Sequence, residues 1–148
     1  MSDESSRREF DVGAMVVRFE RTIPGTVDSI PRVVDEIMNE VRTMDCAAGS
    51  EFEIEVAVSE ALANAVVHGC RHDAAKEITI TVECDPEQGI LIIVRDPGEG
   101  FDPACIPNPV DGEQVFASHG RGVFLINQLM DEVHHARGGT EIWMRKRR

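Results

Sequence analysis

Five consecutive apolar residues, Ile90-Leu91-Ile92-Ile93-Val94, run through Arg95 into Asp96-Pro97-Gly98-Glu99-Gly100. A run without polar alternation is a strand shielded by protein, and a carboxylate followed by two glycines at its end puts a polar side chain and a pliable backbone where a site can form. Such a strand demands a real core. At 148 residues the chain has room for one. Its 42% hydrophobic and 28% charged residues exclude wholesale disorder. With 15 Lys and Arg against 27 Asp and Glu the formal net charge is −12, the wrong sign for a partner held through phosphate-backbone charge, so no direct nucleic-acid binding is expected.

No stretch approaches the roughly 20 apolar residues that cross a bilayer, and Met1 to Glu9 lacks the apolar middle of a signal peptide. A cytoplasmic protein without membrane attachment is expected. Cys46, Cys70, Cys84 and Cys105 form no C-x-x-C pair, which reads as buried free thiols. His68, Cys70 and His72 alternate closely, but no matching ligand pair lies elsewhere, and a metal site needs converging ligands.

Residues 1–11 are rich in charge and read as a flexible N-terminal segment, leaving 12–148 as a single domain. Met15, Val17 and Phe19 alternate as a strand until Pro24-Gly25. Ile30, Val33, Val34, Ile37, Met38 and Val41 recur at helical spacing, with Asp28 or Ser29 as N-cap and Pro31 in the first turn. Ser50 and Glu53 form a capping-box pattern before a second helix reaching about His68 or Gly69. Residues 77–84 and 89–95 are two strands, and a long proline-containing segment from Pro97 to Gly120 follows, of the size that is usually functional. A helix from near Gly122 and strands at 132–136 and 141–144, turning at Gly138-Gly139, close the chain. This order predicts an α+β two-layer sandwich, a mixed, mainly antiparallel sheet with helices on one face.

On the second helix Glu60 and Asn64 lie four residues apart and point the same way beside the apolar face of Ile54, Val58, Ala61, Leu62, Ala65 and Val66. Glu53, Ala57 and His68 continue that stripe, which on spacing alone reads first as a partly exposed polar flank. Gly120-Arg121-Gly122 opens the next helix, where free N–H groups and the dipole attract phosphate oxygens. Arg121 is open to two readings there, a solvated side chain or a phosphate contact. His68 is likewise open to two, a helix-end histidine bonding the last carbonyls or a catalytic group. His119 flanks the long segment.

Glu60-Ala61-Leu62-Ala63-Asn64-Ala65 with His68-Gly69, then Asp96-x-Gly98-x-Gly100, Gly120-Arg121-Gly122-x-x-Leu125 and Gly139-Thr140, resemble in this order the N, G1, G2 and G3 boxes of the GHKL ATPase/kinase superfamily. Ser59 to Gly69 and His119 to Val133 resemble its RsbW-like group, the anti-sigma-factor serine/threonine kinases. The resemblance spans about residues 14 to 146. It implies a Bergerat-type sandwich that binds ATP and Mg²⁺ under a lid at 101–119. It further implies Asn64 as Mg²⁺ ligand and Glu60 as the catalytic residue that orients or deprotonates a serine hydroxyl. Asp96 would accept from the adenine amino group, with Thr140 near the same edge. Gly98 and Gly100 would make room for base and sugar, and Gly120, Arg121 and Gly122 would cradle the phosphates.

The function so implied is an anti-sigma factor that phosphorylates an anti-anti-sigma STAS-domain partner and sequesters a sigma factor, as a homodimer. Unlike family members with a phosphate-contacting arginine in the lid, this chain has no Lys or Arg from Gly98 to Gly120. That departure admits an alternative, a nucleotide-gated regulatory module with little kinase activity. A detached sensor-kinase catalytic domain ranks last, since no dimerisation helix with a phosphoacceptor histidine accompanies the motifs.

Overall fold

The computed structural model describes residues 17–47, 49–85, 87–98 and 118–147. The expected N-terminal segment 1–11, residues 101–117 of the lid expected at 101–119, Gly100 and Cys105 lie outside them.

Strand β1 (Val17–Pro24) leads into helix α1 (Ile30–Met44) through a short 3₁₀ turn at Val27–Ser29. Pro31 sits in the first turn of α1, where its missing N–H costs nothing, and Val33, Val34, Ile37, Met38 and Val41 form its buried stripe. Asp45, with φ of +53°, ends it. Ser29 and Ser50 occupy the expected N-cap positions, but neither side chain caps its helix. Ser29 instead shares a hydrogen bond with the Thr26 hydroxyl at 2.9 Å. The capping box expected at Ser50 and Glu53 is therefore not formed.

Helix α2 (Glu51–Asn64) buries Ile54, Ala57, Val58, Ala61 and Leu62. Ala57, expected on the polar flank, lies in the core. Regular α geometry stops at Asn64, and Ala65–Cys70 continue as a π-helical turn. Such insertions widen the helix and occur most often at functional sites.

Strands β2 (Glu77–Asp85) and β3 (Gly89–Arg95) follow as a hairpin, then helix α3 (Ser118–Leu129), and strands β4 (Glu132–Ala136) and β5 (Glu141–Lys146). The sheet order is β1-β2-β3-β5-β4, and every pairing among these strands is antiparallel. The parallel component of the expected mixed sheet is thus missing here, because the only non-adjacent connection places β5 between β3 and β4.

Ile78, Ile80, Val82, Ile90, Ile92, Val94 and Met144 face the helices and share one core with Ile37, Ile54, Leu62 and Ile126. Alternation turns Leu91, Ile93 and Trp143 to the opposite face as a smaller buried cluster. Both faces of β3 are consequently covered, which is why its sequence lacks polar alternation. The fold is the expected α+β two-layer sandwich with its helices on one face. Among the described residues no helix is long and apolar enough to cross a membrane.

Cys46, just after α1, and Cys84 of β2 are both buried and adjoin in the core, with Cα atoms 6.1 Å apart although 38 residues separate them in sequence. Cys70 is free and buried, as expected.

Candidate nucleotide-binding site

A cleft opens between α2, its π-helical extension, α3 and the ends of β3 and β5. Asn64, His68, Asp96 and Thr140 supply its polar lining. Ala61, Ala65, Val94, Val123, Ile126 and Ile142 supply apolar walls, the mixture a flat aromatic base with a polar edge requires. Asn64 stands at the last α-helical position of α2, and the π-helical turn immediately after it brings His68 and Gly69 to the cleft.

Asp96 is the first residue beyond β3. Its backbone N–H donates to the Thr140 carbonyl at 2.9 Å, so the two residues are tied main chain to main chain. The Asp96 carboxylate accepts the Gly98 N–H through Oδ1 at 2.8 Å, leaving Oδ2 for another donor. Burial raises the carboxyl above the ordinary range, and the Gly98 hydrogen bond partly offsets this. The glycines are required by close approach. A Cβ on Gly69 would overlap the Asp96 carboxyl, and one on Gly98 would come within 2.7 Å of the Gly69 backbone. The Thr140 hydroxyl donates to the Arg137 carbonyl at 2.9 Å and so presents its lone pairs elsewhere.

At the other end a Cβ on Gly122 would lie 2.9 Å from the Asn64 amide and 3.2 Å from Glu60 Oε2. Glu60, Asn64 and Gly122 therefore meet, joining the first helix motif to the second glycine motif. Helix α3 begins at Ser118, four residues earlier than expected near Gly122. Gly120 remains in the first turn, among the N–H groups without intrahelical partners, whereas Arg121 and Gly122 sit deeper in the helix. The side chains of His119 and Arg121 lie outside the described residues.

His68 lines the cleft, and burial lowers its pKa. His135, absent from the sequence expectations, also lines it, facing the same way as its cross-strand partner Ile142, itself a cleft residue.

The histidine kinase-like ATPase domain family matches residues 23–146. The chain belongs to that family. A domain of this family uses ATP, which agrees with the cleft. The chain is 37% identical to Serine-protein kinase RsbW of Oceanobacillus iheyensis over 87 residues, covering 55% of this chain and 54% of that protein. It is 30% identical to the protein of the same name from Bacillus cereus over 140 residues, covering 85% and 84%. The Anti-sigma F factor of Geobacillus stearothermophilus is 30% identical over 117 residues, covering 72% and 75%. The chain thus spans about half the length of the first relative and most of the other two.

Proposed function

We propose that this chain is an anti-sigma factor with ATP-dependent protein serine/threonine kinase activity, its residues 12–148 acting as one domain. It phosphorylates an anti-anti-sigma STAS-domain partner and sequesters a sigma factor, working as a cytoplasmic homodimer. The observation that carries this reading is the two-ended cleft, with Asp96 and Thr140 at one end and Asn64 at the other, where Glu60 and Gly122 adjoin Asn64 just outside the lining. The printed names of the relatives agree with it.

Asp96 Oδ2 accepts from the adenine amino group, and the Thr140 hydroxyl oxygen offers a second acceptor on the same edge, so both select adenine. Gly98 and Gly100 admit base and sugar, while Gly120, Arg121 and Gly122 meet the phosphates. The donor set fits Mg²⁺, which keeps most of its waters and takes few protein ligands: Asn64 provides a neutral oxygen beside the glycine cradle and Glu60 an adjacent carboxylate. When bound, the ion supplies charge neutralisation at the phosphate oxygens. Glu60 then holds the partner's serine hydroxyl and takes its proton.

Glu60→Gln tests the assignment. The variant is expected to keep ATP affinity within about twofold and to lose phosphotransfer by about a hundredfold or more. Retained transfer would overturn Glu60 as base. The absence of Lys and Arg from Gly98 to Gly120 favours a second reading, a nucleotide-gated module with little turnover. Nucleotide-dependent sigma binding without phosphotransfer would select it.

A further inference from the structure

Directly behind Asp96 and Thr140, on the opposite face of the sheet, lies a buried carboxylate that the nucleotide reading leaves unused. Glu141 is the first residue of β5 and is fully buried. Its Oε2 accepts Arg95 Nε at 2.6 Å and Arg137 Nε at 3.2 Å, and its Oε1 accepts the Trp143 indole N–H at 2.5 Å. Two half-exposed guanidinium groups and a buried indole thus converge on one buried anion, each through a charge-assisted bond.

The sequence positions give this hub its meaning. Arg95 and Glu141 are cross-strand partners, and the next residue outward on each chain is Asp96 or Thr140. Strand alternation sends 95 and 141 to the outer face and 96 and 140 toward the cleft. Arg137 lies in the turn whose backbone carbonyl receives the Thr140 hydroxyl, and it holds a left-handed φ of +53°. That conformation is unfavourable for a residue with a side chain and persists only when its surroundings fix it. The ion pair to Glu141 is such a restraint.

We propose that Glu141 is a positioning residue for the nucleotide: by tying Arg95, Arg137 and Trp143 together it fixes the spacing and direction of Asp96 and Thr140, and so sets affinity and selectivity for adenine. The inference rests on the reading of Asp96 and Thr140 as the adenine-binding end. A carboxylate that merely stabilised the sheet would lower the melting temperature of the whole domain and leave discrimination between purines untouched. A positioning carboxylate acts on discrimination, because two acceptors are useful only when both meet one amino group.

The test measures Mg²⁺-ATP and Mg²⁺-GTP affinities by calorimetry on the full chain, with melting temperature followed in parallel. Asp96→Asn comes first, and wild-type ATP affinity in that variant would remove the adenine reading itself. With that reading standing, Glu141→Gln is expected to weaken ATP binding about tenfold while GTP binding changes little, narrowing the ATP/GTP ratio by a similar factor. Arg137→Ala, at a half-exposed side chain that can be truncated without unfolding the domain, is expected to move the ratio in the same direction, and Arg137→Lys to restore part of it. Arg147→Ala, which breaks an ion pair with Glu132 at the other end of β5, is expected to leave the ratio unchanged. Folded Glu141→Gln and Arg137→Ala proteins with wild-type ratios would overturn the proposal. Should Glu141→Gln not fold, the arginine pair decides alone.

Discussion

Asp96 shows at the residue scale how one side chain gives folding and binding opposite pH dependences. Burial raises its folded pKa above the unfolded value, so ionisation opposes folding. Its contribution to stability therefore falls as pH rises from the ordinary carboxylate range through the raised value. Binding runs the other way, because the ionised carboxylate is the stronger acceptor for an amino group and protonation puts a competing O–H donor beside it. Nucleotide affinity is expected to fall on acidification at a pH above that of an ordinary aspartate, and Asp96→Asn to bind weakly without that acid limb; calorimetry across pH checks both. Gly98→Ala is expected to cost more than tenfold in ATP affinity, since its Cβ would meet the Gly69 backbone at 2.7 Å and backbone cannot swing aside. Measured affinities within a factor of two of the parent chain would contradict this. Glu60, Asn64, Asp96 and Thr140 were legible because each stands in a spaced motif. His135 and Glu141 were not, because their roles arise from cross-strand neighbours that spacing within one segment does not reveal.

At the scale of elements, the sequence pattern marks α1 to α3 and β1 to β5, while chemistry at the ends decides where they stop. The second helix was expected to run to about His68, yet α geometry yields to a π turn after Asn64, placing Gly69 against the Asp96 carboxyl. Nothing in the helical period of Ala65-Val66-Val67 signals that change; it follows from packing against a strand end more than twenty residues away in sequence. Leu62, fully buried on α2 among the core side chains, carries the helix onto the sheet. Leu62→Ala is expected to destabilise the domain by about 3 kcal/mol, read by urea unfolding. A loss below about 1 kcal/mol would mean that α2 is held by something other than this face.

For the whole molecule, the net charge of −12 sets both what is excluded and what is invited. From Asp28 to Asn64 nine acidic residues face only Arg32 and Arg42. Glu36 in this segment bonds Arg21 of β1 at 3.1 Å, so part of the surplus is met at the sheet edge. The remainder suits a basic partner, and charge reversal of Glu36 and Glu40 together is expected to weaken sigma-factor binding about tenfold and to steepen neither its salt dependence nor its temperature dependence. Such an acidic protein must meet a polyanionic nucleotide with metal, backbone N–H groups and little else, so ATP affinity is expected to drop at least tenfold in excess chelator. The most direct measurement incubates the chain with labelled ATP, Mg²⁺ and the STAS-domain protein encoded nearest to it, and follows label on that partner. Transfer to a serine or threonine, lost in Glu60→Gln, is the expected result; nucleotide binding with no label on the partner would contradict the kinase assignment.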